Sequence, residues 1–336
     1  MIDEVDQKTS ALMVELNQWL EKNCNLGAVP VIAGMNGDMD TVGSAIAISS
    51  SHENMMPCGL HLGRVAKRVC ENLSAPFRKI SSHNNNWPST LSGFVIVDAA
   101  SPSQIGIELP ENIPKCIIDH HDTDDWVIGE NDLLIKLDVS ATTEIISEYL
   151  FRFSPSTLST PVRKLLLAGL ITDSGRFRHA SKSAFASAAK LLDDSEIDYS
   201  SLIEFIESET TSPSERGSLL RGLERAKSID SGSWNIVHTN SGTLEGRLAT
   251  LLIGTGAEIS LVSRYREGVT RMTARASRKT TLEGIHLGEI MTLVSEQIGG
   301  DGGGHGGAAG WSGNTDRIAA ESAFIAQVAI IKRKEL

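Results

Sequence analysis

The sequence predicts an α/β fold: a mostly parallel sheet with flanking helices, followed by a smaller α/β C-terminal domain, with a cleft between them. Two observations point there. Short apolar runs, Ala28–Ala33, Phe94–Val97 and Cys116–Ile118, each lead into a loop that opens with or soon reaches Asp. Helical patterns such as Gly63–Leu73 and Thr142–Phe153 separate such runs, which is the βαβ layout of parallel sheets. In a parallel sheet the strands' carboxyl ends share one edge, so acids placed there converge.

The elements follow in order. Ala11–Leu20 reads as an amphipathic helix. After the strand Ala28–Ala33, the loop Gly34-Met-Asn-Gly-Asp38-Met-Asp40 runs into a small-residue helix start. Two acids spaced i, i+2 in such a loop can face one cation, although Asp-Gly surface turns are common. Phe94–Val97 ends in Asp98, Cys116–Ile118 ends in Asp119-His120-His121, and Leu165–Thr172, more helical in pattern, ends in Asp173. Converged carboxylates repel and a bound cation relieves them. Imidazole with carboxylate suits a transition metal better than calcium.

Ser181–Leu192, Ser200–Ile206 and Ser214–Ile229 read as helices, with a break at Thr210. Trp234–Val237, Ile259–Ser263 and Gly268–Ala276 read as strands. This divides the chain into a first domain over 1–195, a helical connector over 196–229 and a second domain over 230–336. In the second, Ser263–Lys279 gathers Arg264, Arg266, Arg271, Arg275, Arg278 and Lys279 against Glu267 alone. These charges either guard an edge strand or bind anions. Arg forks suit phosphate oxygens, which favours the second reading. The run from Gly299 to Gly310 holds His305 among glycines, and reads as a backbone anion nest rather than a linker.

Composition sets outer bounds. The 336 residues are 40% hydrophobic and 22% charged, with a formal net charge of −11. That balance argues against binding duplex nucleic acid over the whole surface. Four dispersed cysteines argue against a thiolate zinc site and a disulfide framework. No signal peptide or membrane-spanning run is visible, so the expected location is cytoplasmic, with no membrane partner.

Taken together, these stretches resemble the DHH phosphoesterase superfamily with the first-type DHH-associated domain, as in RecJ-like exonucleases and nanoRNases. Asp38-x-Asp40 with Gly43-Ser-Ala is similar to the first motif, Asp98 to the second, Asp119-His-His to the third and Asp173-Ser-Gly-x-Phe-Arg to the fourth. Gly302-Gly-Gly-His-Gly-Gly-Ala-Ala-Gly310 is similar to the associated domain's signature. The resemblance implies that Asp40, Asp98, His120 and Asp173 hold one manganese (or magnesium) ion. Asp38 and Asp98 contribute to a second, with Asp98 bridging. It further implies that His121 touches the scissile phosphate, that Asp119 orients His120, and that Arg275 and His305, with Gly303 and Gly304, hold substrate phosphates.

The family's first motif begins with a metal-binding His where this chain has Gly34, so the second metal site is expected to be weak. The expected function is a metal-dependent phosphodiesterase: a single-strand-specific exonuclease or oligoribonuclease acting on short nucleic acid. Trp234, Tyr265 and Trp311 are the aromatics available for base stacking. Two alternatives stand beside it: a catalytically weak scaffold bound to replication proteins, and a phosphodiesterase for cyclic dinucleotides or nucleoside bisphosphates.

Overall fold

The computed structural model describes all residues except 1, 84, 122–124, 209–210 and 335–336, and the side chains of 2–6. The predicted break at Thr210 lies outside the described residues. The chain forms two compact units, Met1–Ser208 and Glu209–Leu336.

The first unit is built on a six-stranded sheet, β1 Val29–Ala33, β2 Met55–Gly59, β3 Arg78–Lys79, β4 Phe94–Val97, β5 Lys115–Asp119 and β6 Leu133–Lys136. All its pairings are parallel. The spatial order is β3-β2-β1-β4-β5-β6. The order reverses between β1 and β4, and loops leaving adjacent strands there diverge to open a crevice at the carboxyl edge. The acids after β1 and β4 flank that crevice.

Seven helices belong to this unit: α1 Ile2–Leu26, α2 Met39–Ser49, α3 Arg64–Leu73, α4 Thr142–Phe153, α5 Thr160–Asp173, α6 Lys182–Leu192 and α7 Tyr199–Glu207. Side chains from all seven join one apolar cluster on one side of the sheet, around Val31, Val97 and Ile118. The opposite face, Ile32, Phe94, Ile96 and Ile117, is closed by loop residues including Ile105, Trp87 and Trp126. Strands buried on both faces read as continuous apolar runs, which is why β1, β4 and β5 were visible in the sequence. The fourth Asp-ended run is a helix, α5, so Asp173 reaches the edge from a helix C-terminus rather than a strand.

The second unit carries its own six-stranded sheet, in the order β11-β12-β10-β9-β8-β7. Its strands are β7 Lys227–Ser231, β8 Trp234–Asn240, β9 Ile259–Arg266, β10 Val269–Ala276, β11 Asp301–His305 and β12 Ala308–Gly313. The remaining helices are α8 Pro213–Glu224, α9 Glu245–Gly254, α10 Arg278–Leu282, α11 Leu287–Ile298 and α12 Arg317–Ala329. One face packs on α11 and α12 around Trp234, Met272, Trp311 and Phe324. The other packs on α8 and α9 through Leu219, Leu248, Leu252 and Val262.

Two expectations change here, and the edge-strand alternative for the arginine segment is ruled out. The helix expected over Ser214–Ile229 stops at Glu224, and Lys227–Ser231 is a strand paired with β8. The strand carrying Arg271 and Arg275, β10, is not an edge: it lies between β9 and β12. The glycine-rich run is no loop nest either, because 301–305 pair with 308–312 as two antiparallel strands. Its glycines admit a helix. A Cβ on Gly288 of α11 would lie 2.2 Å from the carbonyl oxygen of Gly304. Gly288→Ala is therefore expected to push α11 off β11 and destabilise the second unit by about 2 kcal/mol. Urea unfolding would show a lowered midpoint; an unchanged midpoint would mean the helix is not held that close.

Candidate metal centre

Each acidic side chain at the carboxyl edge is placed by the element it begins or ends. Asp38 is the N-cap of α2, its carboxylate accepting from the Thr41 N–H at 3.0 Å. Asp40 lies in that helix's first turn and is 1% exposed. Asp98 follows β4 in a left-handed conformation, φ 57°, which Asp tolerates better than most residues. Asp173 is the last residue of α5.

His120 follows β5 and bridges these acids. Its Nε2 lies 3.4 Å from both Asp98 Oδ1 and Asp173 Oδ2. Its Nδ1 lies 3.2 Å from the Val139 carbonyl oxygen, which can only accept. The proton of the neutral ring is thus fixed on Nδ1, and the Nε2 lone pair faces the carboxylates, the tautomer a metal ligand needs. His121 is set the same way by a different partner, with Nδ1 2.7 Å from Asp119 Oδ1. Asp119 therefore orients His121, not His120 as the sequence suggested. Side chains alternate along an extended chain, so a buried Asp returns to its i+2 neighbour.

Two groupings of possible ligands result: Asp40, His120 and Asp173; and Asp98, His120 and His121. In each, one donor atom per residue lies within 4.8 Å of the others. Asp38 joins neither grouping among the described residues. Its second oxygen accepts from Asn36 Nδ2 at 2.6 Å. Gly34, where the resemblance led one to expect His, is confined by the main chain. A Cβ there would lie 2.9 Å from the Asp98 carbonyl oxygen. The Gly34 N–H also donates to Thr41 Oγ1 at 2.7 Å. A side chain at this position would displace Asp98 itself, so glycine fits the local packing and no imidazole serves Asp38 from there.

The sequence reading missed what holds Asp40. Its carboxylate accepts from the N–H groups of Thr142 (2.7 Å) and Thr143 (3.0 Å) and from the Thr143 hydroxyl (2.6 Å). The N-terminus of α4, with its orphan donors and positive dipole end, thus aims at a buried acid. Thr142 Oγ1 also donates to Asp98 at 3.3 Å. The signal was present in Ala141-Thr-Thr-Glu, a helix start with no capping side chain of its own.

Electrostatics test whether a cation fits. Burial, then the charges of Asp98 and Asp173, hold the Asp40 carboxyl well above the usual carboxylate range. Burial is likewise the largest cause raising Asp173, to about 6. Burial alone would lower His120, but the hydrogen bond to Asp98 and the charges of Asp40, Asp98 and Asp173 outweigh it and raise the ring to about 9. Asp40 and Asp173 thus hold protons more tightly than free carboxylates do, and the oxygen-and-imidazole donor set is one that manganese and similar ions accept.

The phosphate-binding candidates lie in the second unit. Arg275 and His305 are exposed and flank Ala308 in one row across β10, β12 and β11. Gly303 stands on the same face, whereas Gly304 shares a row with the buried Ala274 on the face that packs on α11. Trp234 and Trp311 are 1% and 3% exposed and belong to the core, which leaves Tyr265, 59% exposed, as the accessible aromatic of the three.

Comparison with known proteins follows this division. Residues 28–170 match the family model for the DHH family, N-terminal domain, and residues 239–330 match that for the DHHA1 domain. An uncharacterized protein of Methanocaldococcus jannaschii is 26% identical over 324 residues, covering 94% of each chain. An exopolyphosphatase-related protein from Bacteroides fragilis superposes with a TM-score of 0.69 at 14% identity, over 95% of this chain and 96% of its own. Exonuclease RecJ bound to manganese gives 0.51 at 13% identity, over 96% and 95%. These structural likenesses show a shared fold. No described helix is long and apolar enough to cross a membrane.

The raised acidities fix a sign. Asp173, moved from 3.8 to about 6, keeps in the folded chain a proton that the unfolded chain sheds, so stability falls as pH rises through that window. The stability from His120, moved from 6.5 to about 9, is complete below 6.5 and lost as pH rises through about 9. The metal-free protein should therefore melt at lower temperature as pH rises, and manganese should restore more stability at high pH than at low. Thermal melts with and without manganese across this range check it; a metal increment independent of pH would contradict it.

Proposed function

We propose that this chain, which belongs to the DHH family and carries a DHHA1 domain, is a metal-dependent phosphodiesterase acting on short single-stranded nucleic acid. The observation that carries the reading is the convergence of Asp40, Asp98, Asp173 and the Nε2 of His120 beside the switch point of the first sheet. Those four residues would hold the tighter manganese ion. Asp38, with Asp98, would hold a second one weakly, because Gly34 supplies no imidazole. Bound there, divalent cations supply Lewis-acid stabilisation of phosphoryl oxygens and lower the pKa of water.

The protein's own groups do the rest. His121, its Nδ1 held by the buried Asp119, turns its Nε2 edge toward the place a substrate phosphate would take. Thr142 and Thr143 fix the Asp40 carboxylate before substrate arrives, so it need not be reorganised. In the second unit, Arg275 and His305 hold substrate phosphate. With few accessible aromatics, recognition is led by phosphate and tolerant of sequence. RecJ, solved with manganese and named an exonuclease, supports the choice of metal and reaction.

The test is hydrolysis of short single-stranded RNA and DNA with manganese. Asp173→Asn should cut turnover by about a hundredfold or more, as expected for loss of a group that holds transition-state charge. Arg275→Ala should raise KM by about tenfold, equivalent to one charge-assisted hydrogen bond, while kcat is kept. Full activity in Asp173→Asn, or no cleavage of any oligonucleotide by the wild type, would overturn the reading.

A further inference from the structure

The cationic segment of the second unit holds more than Arg275. Alternation along β10 puts Arg271, Thr273 and Arg275 on one face, while Met272 and Ala274 enter the core. Because β10 is an interior strand, these charges do not protect an edge. They stand at the margin of α9, which packs over β9 and β10 and leaves β12 and β11 largely open on this face. Over β9, α9 is seated through Leu248, Leu252 and Val262, and Ser260 Oγ donates to the Ala249 carbonyl at 2.9 Å. Beyond it the register makes three rows: Arg275–Ala308–His305, Thr273–Gly310–Gly303 and Arg271–Ser312–Asp301. The middle row ends in two glycines. Nothing lies within 4 Å of a Cβ built on Gly303, and only the Met272 carbonyl, at 3.5 Å, lies near one on Gly310. The result is a shallow floor of bare backbone, with an arginine in the row on each side.

Pairing separates these arginines from their neighbours. Arg264 is paired with Glu245 at 2.9 Å and Arg266 with Glu267 at 3.0 Å. Arg271 and Arg275 have no ion pair among the described residues. Arg271 moreover stands directly opposite Arg264 in the β9–β10 register. Like charges so placed repel, and a bound anion removes the cost. Asp301, at the far end of the same row on the edge strand, repels anions and keeps the favourable position on the β10 side.

We propose that Arg271 is a second phosphate contact on this face and that the preferred ligand is an oligonucleotide longer than a dinucleotide. This rests on the reading of Arg275 as the first phosphate contact. Four residue steps along the strand set the two side chains about 13 Å apart. That exceeds one internucleotide step, so side chains standing straight off the strand meet successive phosphates of an extended strand rather than a single phosphodiester. The side-chain-free floor between them lets the sugar–phosphate chain lie close without selecting a base.

The experiment measures binding of fluorescein-labelled single-stranded dinucleotides and hexanucleotides in EDTA, across a salt series. The proteins are wild type, Arg271→Ala, Arg271→Lys and Arg275→Ala. Arg275→Ala should weaken both lengths. Arg271→Ala should leave the dinucleotide unchanged and weaken the hexanucleotide by about tenfold, the equivalent of one charged phosphate contact. Its salt slope for the hexanucleotide should fall by about 0.7, one counterion fewer released from a single strand. Arg271→Lys should keep most of both. Equal effects of Arg271→Ala on the two lengths, or none on the hexanucleotide, would overturn this inference alone. Binding of neither length by the wild type would overturn the nucleic-acid reading with it.

Discussion

Repulsion among buried acids at one sheet edge is the constraint on which the first unit depends. Asp40, Asp98 and Asp173 meet within reach of a single imidazole, and Asp40 is almost wholly removed from solvent. Placing like charges together in a medium that screens them poorly is costly unless positive charge is supplied. The fold supplies part of it: the N-terminus of α4 at Asp40, and His120 between Asp98 and Asp173. The remainder shows in the raised affinity of Asp40 and Asp173 for protons, a cost that a cation would relieve.

That constraint explains the local geometry. Asp98 adopts a left-handed backbone where β4 ends, and Gly34 leaves room for the Asp98 carbonyl beside β1. The loop bearing Val139 closes on His120 so that its lone pair faces inward. The same packing leaves Asp38 as a helix cap held by Asn36 and Thr41, outside both groupings of possible ligands.

Much of this could be read from the residues. β1, β4 and β5 are buried on both faces, so they appear as apolar runs, and each leads, at once or after a short loop, to an acid. What could not be read has physical causes. β2 has two methionines, a proline and no β-branched residue, and β6 is only partly buried along most of its length, so neither stood out as a buried apolar run. The partner of Asp119 depended on which way successive side chains turn after a strand, a property of backbone and not of composition. The donors on Asp40 lie more than a hundred residues away along the chain. Glycines from 302 to 304 signal loops in most contexts; here they lie within a strand, and the close approach of α11 requires Gly302 to lack a side chain. The charged segment of β10 was visible, but that it lies inside its sheet, with an uncovered floor beside it, came from strand order alone.

Calorimetric titration with manganese, on the wild type and on Asp98→Asn, tests the central claim most directly. The account predicts a firm site in the wild type, followed by a weaker one, with proton release on binding. It also predicts a large loss of affinity in Asp98→Asn, because that carboxylate faces His120 and takes part in both ions' sites. Absence of manganese binding to the wild type, or equal affinity in the variant, would contradict it.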